Sequence, residues 1–391
     1  MAERNLNFDQ YVNRYGTKSI KFDFAKEYGK PEDLIPMWVA DMDFKTSSYI
    51  IDALKETMDF GVFGYSESGR DYFEAVKGWM KRRHDWDVEE SWLVKTPGIV
   101  FAIAIAIRAF TKEGDSVLIQ TPVYYPFTAT VKQNNRKVVR NSLVLKGDHY
   151  EIDFDDFERK ITDNNVKMFL LCSPHNPVGR VWSEEELRRM GEICLKHNVI
   201  VVSDEIHFDF AFEGKHRVFS SLDERFKPMS VICTSPSKSF NLAGLQVSNI
   251  FIANPELKDK FLKMLYSTGY CELSLPALVA CETAYTKGEE WLDGALAYIK
   301  SNAEYLRQYL KENIPAIKTV KQEGLYLVWL DFRDLGLSDK EINRKILEEA
   351  KIWLDEGTMF GTEGECFQRI NVACPRSTLE KALENLKKIF G

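Results

Sequence analysis

Four nearly unbroken apolar runs constrain this chain most: KMFLLC (167–172), VIVVSDE (199–205), SVICTS (230–235) and SNIFIA (248–253). Each is too short for a buried helix and too continuously apolar for a strand with one wet face. Such runs belong to strands covered on both sides, as in an α/β sheet. SVLIQ (116–120) and KVVRNSLVL (137–145) extend the set, so that from about residue 92 strands and helices alternate.

The intervening helices carry their own signals. SEEELRRMGEICLKHN (183–198) opens with Ser183 as a cap and Glu186 placed to return the bond, while Leu187, Met190, Ile193 and Cys194 line one face. IVFAIAIAIRAF (99–110) alternates like a strand, but its length after Pro97-Gly98 and its alanines favour a buried helix. Past residue 288 the pattern changes. A long helix (about 290–312) precedes a strand GLYLVWLDF (324–332), a helix near 338–351 and a strand RINVA (369–373). A terminal helix STLEKALENLKKIF (377–390) follows, with Ser377 as its expected cap. The expected division is an N-terminal arm (1–45) containing PMWVADMDF, a large domain (46–287) and a small α+β domain (288–391).

Composition removes several classes of function. A net charge of -7 supplies no broad basic field for nucleic acid, and MKRRHDW (80–86) reads as a solvated helix end. The longest apolar run, IVFAIAIAI, falls far short of a membrane span. The N-terminus is charged and unlike a signal peptide, and seven scattered cysteines without a CxxC pair suit a reducing compartment; a cytoplasmic location is expected. That cysteine pattern offers neither a disulfide framework nor a metal site, and no GxGxxG follows a strand.

Ligands of α/β proteins bind beyond the C-terminal ends of the strands, and three such ends carry polar residues that a core does not need. SPHNPVGR (173–180) follows KMFLLC, DEIH (204–207) closes VIVVS, and TSPSKSFN (234–241) follows VIC. Asp204 ends an apolar run, where a carboxylate requires a cation or donors. Lys238 lies among the hydroxyls of Ser235 and Ser237. Together they match the needs of a cofactor with a protonated ring nitrogen, an aldehyde and a phosphate.

With WVADMDF, TPG (96–98), TPVYYPF (121–127), SPHNPVGR, SDEIH, SKSFNLAGL (237–245) and RINVACPR (369–376) in this order, the whole chain resembles the pyridoxal-phosphate enzymes of the aspartate-aminotransferase fold. More narrowly it resembles their cystathionine β-lyase branch of cysteine–sulfur lyases, which includes cystalysin. Asn176 precedes Asp204 by 28 residues and Asp204 precedes Lys238 by 34, as that fold requires. The resemblance implies fold type I, with a mostly parallel seven-stranded sheet in the large domain. It implies pyridoxal 5′-phosphate as cofactor, joined to Lys238 as a Schiff base. Asp204 then pairs with the ring nitrogen, Asn176 and His207 approach the ring oxygen, and Tyr124 stacks on the ring and assists the incoming amine. Ile99, Val100, Ser235 and Ser237 hold the phosphate, helped by Tyr65 from the neighbouring subunit of a homodimer. Arg369 grips the substrate α-carboxylate, and Tyr125 and Trp38 form the substrate wall.

Gln246 departs from the aminotransferase pattern, which places a phosphate-binding arginine eight residues after the lysine. The resemblance therefore implies α,β-elimination from a small sulfur amino acid such as L-cystathionine, yielding a thiol, pyruvate and ammonia. An aminotransferase shares the early chemistry and is the alternative. A regulatory protein-binding scaffold is the alternative of another class, and the presence of Lys238, Asp204, Asn176 and Arg369 together weighs against it.

Overall fold

The computed structural model describes residues 2–270 and 272–391. Its first strands are β1 (Ile35–Pro36), β2 (Leu93–Thr96), β3 (Ser116–Thr121), β4 (Lys137–Ser142), β5 (Val144–Lys146), β6 (His149–Glu151), β7 (Val166–Cys172), β8 (Ile200–Asp204), β9 (Ser230–Thr234) and β10 (Ser248–Phe251). They are followed by β11 (Lys318–Thr319), β12 (Leu327–Asp331), β13 (Ile352–Trp353), β14 (Asp355–Glu356) and β15 (Phe367–Asn371). Among the described residues no helix is long and apolar enough to cross a membrane.

Seven strands form one sheet in the order β2-β10-β9-β8-β7-β3-β4. Neighbours from β9 to β4 are parallel, and β10 runs antiparallel to both β2 and β9. The continuous apolar runs are explained by two cores, one on each face. Phe169, Leu171, Val201 and Ile232 enter the first, and Met168, Leu170, Val202 and Val231 enter the second. IVFAIAIAIRAF is a helix, Ile99–Phe110, whose Ile103, Ala106 and Ile107 cover the second core. In helix Glu184–Lys196 both bonds of the Ser183–Glu186 capping box form, and Leu187, Met190 and Cys194 are buried.

A second sheet, β11-β12-β15-β14, is antiparallel throughout and places Arg369 opposite Trp329 on one side and Asp355 on the other. In the arm, β1 pairs with β13, which leads WVADMDF between this sheet and the strand ends of the larger one. The two sheets meet tightly at Gly324. A Cβ there would stand 2.1 Å from the Phe210 carbonyl oxygen, while the N–H groups of Glu323 and Gly324 donate to the Gly179 carbonyl at 2.9 and 3.1 Å.

Three local expectations need correction. KVVRNSLVL is two strands, because β3 ends before Pro122, which has no N–H to extend a ladder, and the chain turns at Gly147 (φ +65°) into the β5–β6 hairpin. The last helix begins at Arg376 after Pro375, and Ser377 is not its cap; the Arg376 N–H is satisfied instead by the Tyr298 hydroxyl at 2.7 Å. MKRRHDW is only partly solvated, since His84 and Trp86 are buried and His84 Nε2 lies 3.0 Å from Asp209 Oδ1.

Candidate active site

Because β2, β3, β7, β8 and β9 point the same way, their C-terminal ends and following loops converge on one cavity of about 330 Å³. Eight of the residues singled out from the sequence line it: Ile99, Val100, Tyr124, Asn176, Asp204, His207, Ser237 and Lys238. Gly98 (φ 156°, ψ 160°) turns the chain after β2 in a conformation that a side chain would strain. The first turn of helix Ile99–Phe110 thereby opens onto the cavity with its N–H groups free of intrahelical carbonyls, a ready anion site. Ser237 and Ser248 add hydroxyls, and the Ser248 Oγ is buried without a partner. Gln246 also lines this end, in the left-handed conformation (φ +56°).

Lys238 stands on the opposite wall, on the short helix Pro236–Ser239 that follows β9. Its Nζ donates to the Ala40 carbonyl at 2.6 Å, and the Tyr326 hydroxyl donates to the same oxygen at 2.9 Å. Burial lowers the amine to about 8; Asp41 and Asp204 oppose that shift, and Arg369 adds to it. WVADMDF therefore matters through its backbone. Asn371 Nδ2 donates to the Val39 and Asp41 carbonyls (2.7 and 2.6 Å), and Asn241 Nδ2 to those of Met42 and Phe44 (2.8 and 3.0 Å).

Asp204 ends β8 in register with Cys172 and Cys233 on the flanking strands. Burial raises its carboxyl to about 7, although Ile206 N–H donates to Oδ1 at 3.1 Å and Lys238 is near. A carboxyl so placed is completed by a cationic partner in the cavity. His207 is buried beside it with Nδ1 unpartnered, and burial followed by the Lys238 and Arg369 charges keeps its imidazole neutral. Asn176 Oδ1 accepts from Arg369 Nη1 at 3.0 Å, leaving the amide Nδ2 for a ligand. Burial raises the Tyr124 phenol, which stays protonated. An anion site, an amine near neutrality, an acid seeking a cation and two unpartnered polar atoms fit an aromatic aldehyde carrying a ring nitrogen and a phosphate.

Five other expected residues stand outside the cavity lining. Ser235 is wholly buried: its hydroxyl donates to the Val247 carbonyl at 2.6 Å and accepts from Ser237 N–H at 3.0 Å, so it orders Ser237 instead of facing a ligand. Trp38 turns its ring onto Trp353, with centroids 4.2 Å apart, and offers the site its carbonyl. Tyr125 is 39% exposed and packs edge-on against Phe360. Arg369 stands behind the lining, where Nη1 donates to Asn176 Oδ1, and its guanidinium is ion-paired with Asp355. Tyr65 is fully exposed and contributes nothing to its own chain's cavity. Asp355, Tyr326 and Asn371 escaped the sequence reading, because nothing in their neighbourhoods shows what faces them across strands.

The model of the aminotransferase class I and II family matches residues 32–386, and the chain belongs to that family. It is 44% identical over 383 residues to cystathionine beta-lyase PatB of Bacillus subtilis (strain 168), covering 98% of this chain and 99% of that one. Its fold superposes on cystalysin from Treponema denticola, which contains a pyridoxal 5′-phosphate cofactor, with TM-score 0.95, 40% identity and 98% of both chains covered. The PLP-bound C-S lyase of Staphylococcus hominis matches with TM-score 0.89, 33% identity and the same coverage. Within the family, the chain's place is the cystathionine β-lyase and cystalysin branch.

The acidity of Asp204 has a measurable consequence. Its folded value of about 7 lies above the unfolded value, so ionising it opposes folding. The penalty is absent below about pH 4, grows up to neutrality and is then constant. Ligand-free Asp204→Asn should therefore be more stable than ligand-free wild type at pH 8, by on the order of 2–4 kcal/mol, with the difference vanishing near pH 4. Denaturant melts at both pH values check this, and a variant less stable at pH 8 would contradict it.

Proposed function

We propose that this protein is a pyridoxal 5′-phosphate-dependent carbon–sulfur β-lyase acting on L-cystathionine or a related L-cysteine S-conjugate. The convergence of Lys238 and Asp204 on one cavity with a helix N-terminus carries this reading. When bound, pyridoxal 5′-phosphate supplies an electron sink for negative charge at the substrate Cα. The first turn at Ile99 and Val100, with the Ser237 hydroxyl, would hold its phosphate, and Ser235 keeps Ser237 in place. Asp204 would face the ring nitrogen, and a protonated nitrogen there would bring its raised pKa back down. Asn176 Nδ2 and the neutral His207 would approach the ring oxygen, and Tyr124 would form the wall beside the ring.

Arg369 receives the α-carboxylate and so fixes the orientation of the Cα–H bond. Lys238, whose amine burial lowers toward the neutral form, takes the Cα proton and returns a proton to the departing sulfur. The Cβ–S bond breaks, and water completes the conversion to thiol, pyruvate and ammonia. Among the described residues lining the cavity, Lys238 is the only cation, so no group of this chain there suits a side-chain carboxylate. The rim by Arg369 is aromatic instead: Phe360 lies under the guanidinium at 4.8 Å and packs against Tyr125. This surface suits a thioether chain and discriminates little between chain lengths.

The homodimer belongs to the same proposal. Tyr65 is fully exposed beside Phe60, Val62 and Phe63, which are also exposed, and this apolar stretch suits burial against a second copy. In that arrangement Tyr65 serves the partner's phosphate site.

The reaction is tested by incubating the enzyme with L-cystathionine, L-cystine or L-aspartate without any keto acid. Pyruvate and thiol should form from the sulfur compounds, with little turnover of aspartate; a requirement for 2-oxoglutarate, with glutamate as product, would make the protein an aminotransferase. The shared site is tested by mixing inactive Tyr65→Ala and Lys238→Ala proteins after reversible dissociation. Each heterodimer should contain one intact site and recover up to about half of the wild-type activity. No recovery in a demonstrated heterodimer would place Tyr65 in its own subunit's site or make it structural.

A further inference from the structure

Arg369 carries five N–H hydrogens, and the structure accounts for three of them. Nη1 donates to Asn176 Oδ1 at 3.0 Å. Nη2 donates to the Trp38 carbonyl at 3.1 Å and to Asp355 Oδ2. Nε is buried and has no partner. Gripping a carboxylate with two parallel bonds requires Nη2 together with either Nε or Nη1. Both hydrogens of Nη2 are already engaged, so an incoming carboxylate must share or displace a partner.

Asp355 is the partner that resembles the incoming group. It faces Arg369 directly across the β14–β15 pair, and the two side chains are only 4% and 3% exposed. A second carboxylate on this guanidinium would leave one buried cation between two buried anions, and where two carboxylates share a site one of them retains a proton. Burial already pushes the Asp355 carboxyl toward holding its proton, Arg369 opposes that shift, and neighbouring Glu356 adds to it. Glu356 is turned outward to Lys30 at 3.3 Å. Among the described residues, the other titratable groups that sense Asp355 are the phenols of Tyr124 and Tyr125, both pushed up by burial and then by neighbouring charges, and therefore neutral; His207 and Lys238 sense Arg369 from within the cavity. Asp355 is the carboxylate bonded to this guanidinium, and so the group nearest the incoming anion that can absorb a proton.

We propose that Asp355 is a positioning residue that stands in for the substrate α-carboxylate on Arg369 and accepts one proton from solvent when that carboxylate takes its place. The proposal rests on the reading of Arg369 as the carboxylate receptor. It gives the empty enzyme an ordered, neutralised arginine, and it makes affinity for any carboxylate fall as pH rises, by up to about tenfold per pH unit.

The test titrates the holoenzyme with 3-(methylthio)propionate, a thioether carboxylate with no amine to react. Calorimetry at pH 8 in two buffers of different ionisation heat counts the protons taken up, and competitive inhibition measured from pH 6 to 9 supplies the pH profile. Wild type should take up about one proton per ligand, and Asp355→Asn about none, by simple linkage. The variant should also bind at least about tenfold tighter at pH 8.5, with a flattened profile. A wild-type count near zero, or the same count in both proteins, would overturn the proposal, and so would weaker binding by Asp355→Asn with an unchanged profile. Arg369→Met separates the two readings. Unchanged affinity in that variant removes the carboxylate receptor and the proposal with it, whereas lost affinity with no proton uptake in wild type removes Asp355 alone.

Discussion

An amine and a carboxyl group share one buried cavity in this protein, and the surroundings are built to keep both usable. Burial drives Lys238 toward the neutral amine and Asp204 toward the neutral acid, by the same desolvation acting on opposite charges. Their mutual attraction only partly offsets this. A ligand that brings a cation to Asp204 and an electrophile to Lys238 therefore relieves both groups together. The sheet supplies the positions: β8 ends at Asp204, β9 ends just before the turn bearing Lys238, and the two strands pair directly, with Asp204 opposite Cys233.

The other half of the cavity wall is irregular chain that must nevertheless be held still. WVADMDF has almost no ladder of its own, and its carbonyls are taken one after another by side chains of the site. Arg369 takes Trp38, Asn371 takes Val39 and Asp41, Lys238 and Tyr326 take Ala40, and Asn241 takes Met42 and Phe44. The acids of the motif are held by cations of the arm. Arg14 and Lys21 of the arm hold Asp41 and Asp43, and the Lys21 side chain is only 1% exposed. Such pairs are costly to break one partner at a time, so the arm fixes the loop that carries the Ala40 carbonyl to Lys238.

The fold was legible in the sequence wherever burial on two faces wrote continuous apolar runs, as in β7, β8 and β9, and wherever a helix start was spelled out, as at Ser183. The same rule located Asp204, Lys238 and Asn176, since polar residues closing such runs need a reason to be there. Less was legible where a partner comes from far along the chain. Asp355 belongs to a two-residue strand, and only the register of β14 on β15 shows that it meets Arg369. Ser235 reads like Ser237, yet one hydroxyl is consumed by the Val247 carbonyl and the other faces the cavity. Trp38 and Tyr65 are aromatic residues whose direction is set by neighbours, Trp353 in one case and open surface in the other. Ser377 looked like a cap because the Tyr298 hydroxyl that does the work lies 78 residues before Arg376.

The most direct test concerns Lys238. Borohydride converts a carbon–nitrogen double bond between the cofactor aldehyde and a lysine into a stable adduct, which peptide mapping by mass spectrometry then locates. The purified enzyme, saturated with pyridoxal 5′-phosphate and reduced, should carry one adduct per chain, on Lys238, and Lys238→Ala should carry none. An adduct on another of the chain's lysines, or none on Lys238 in cofactor-saturated wild type, would contradict the assignment of this cavity as the active site.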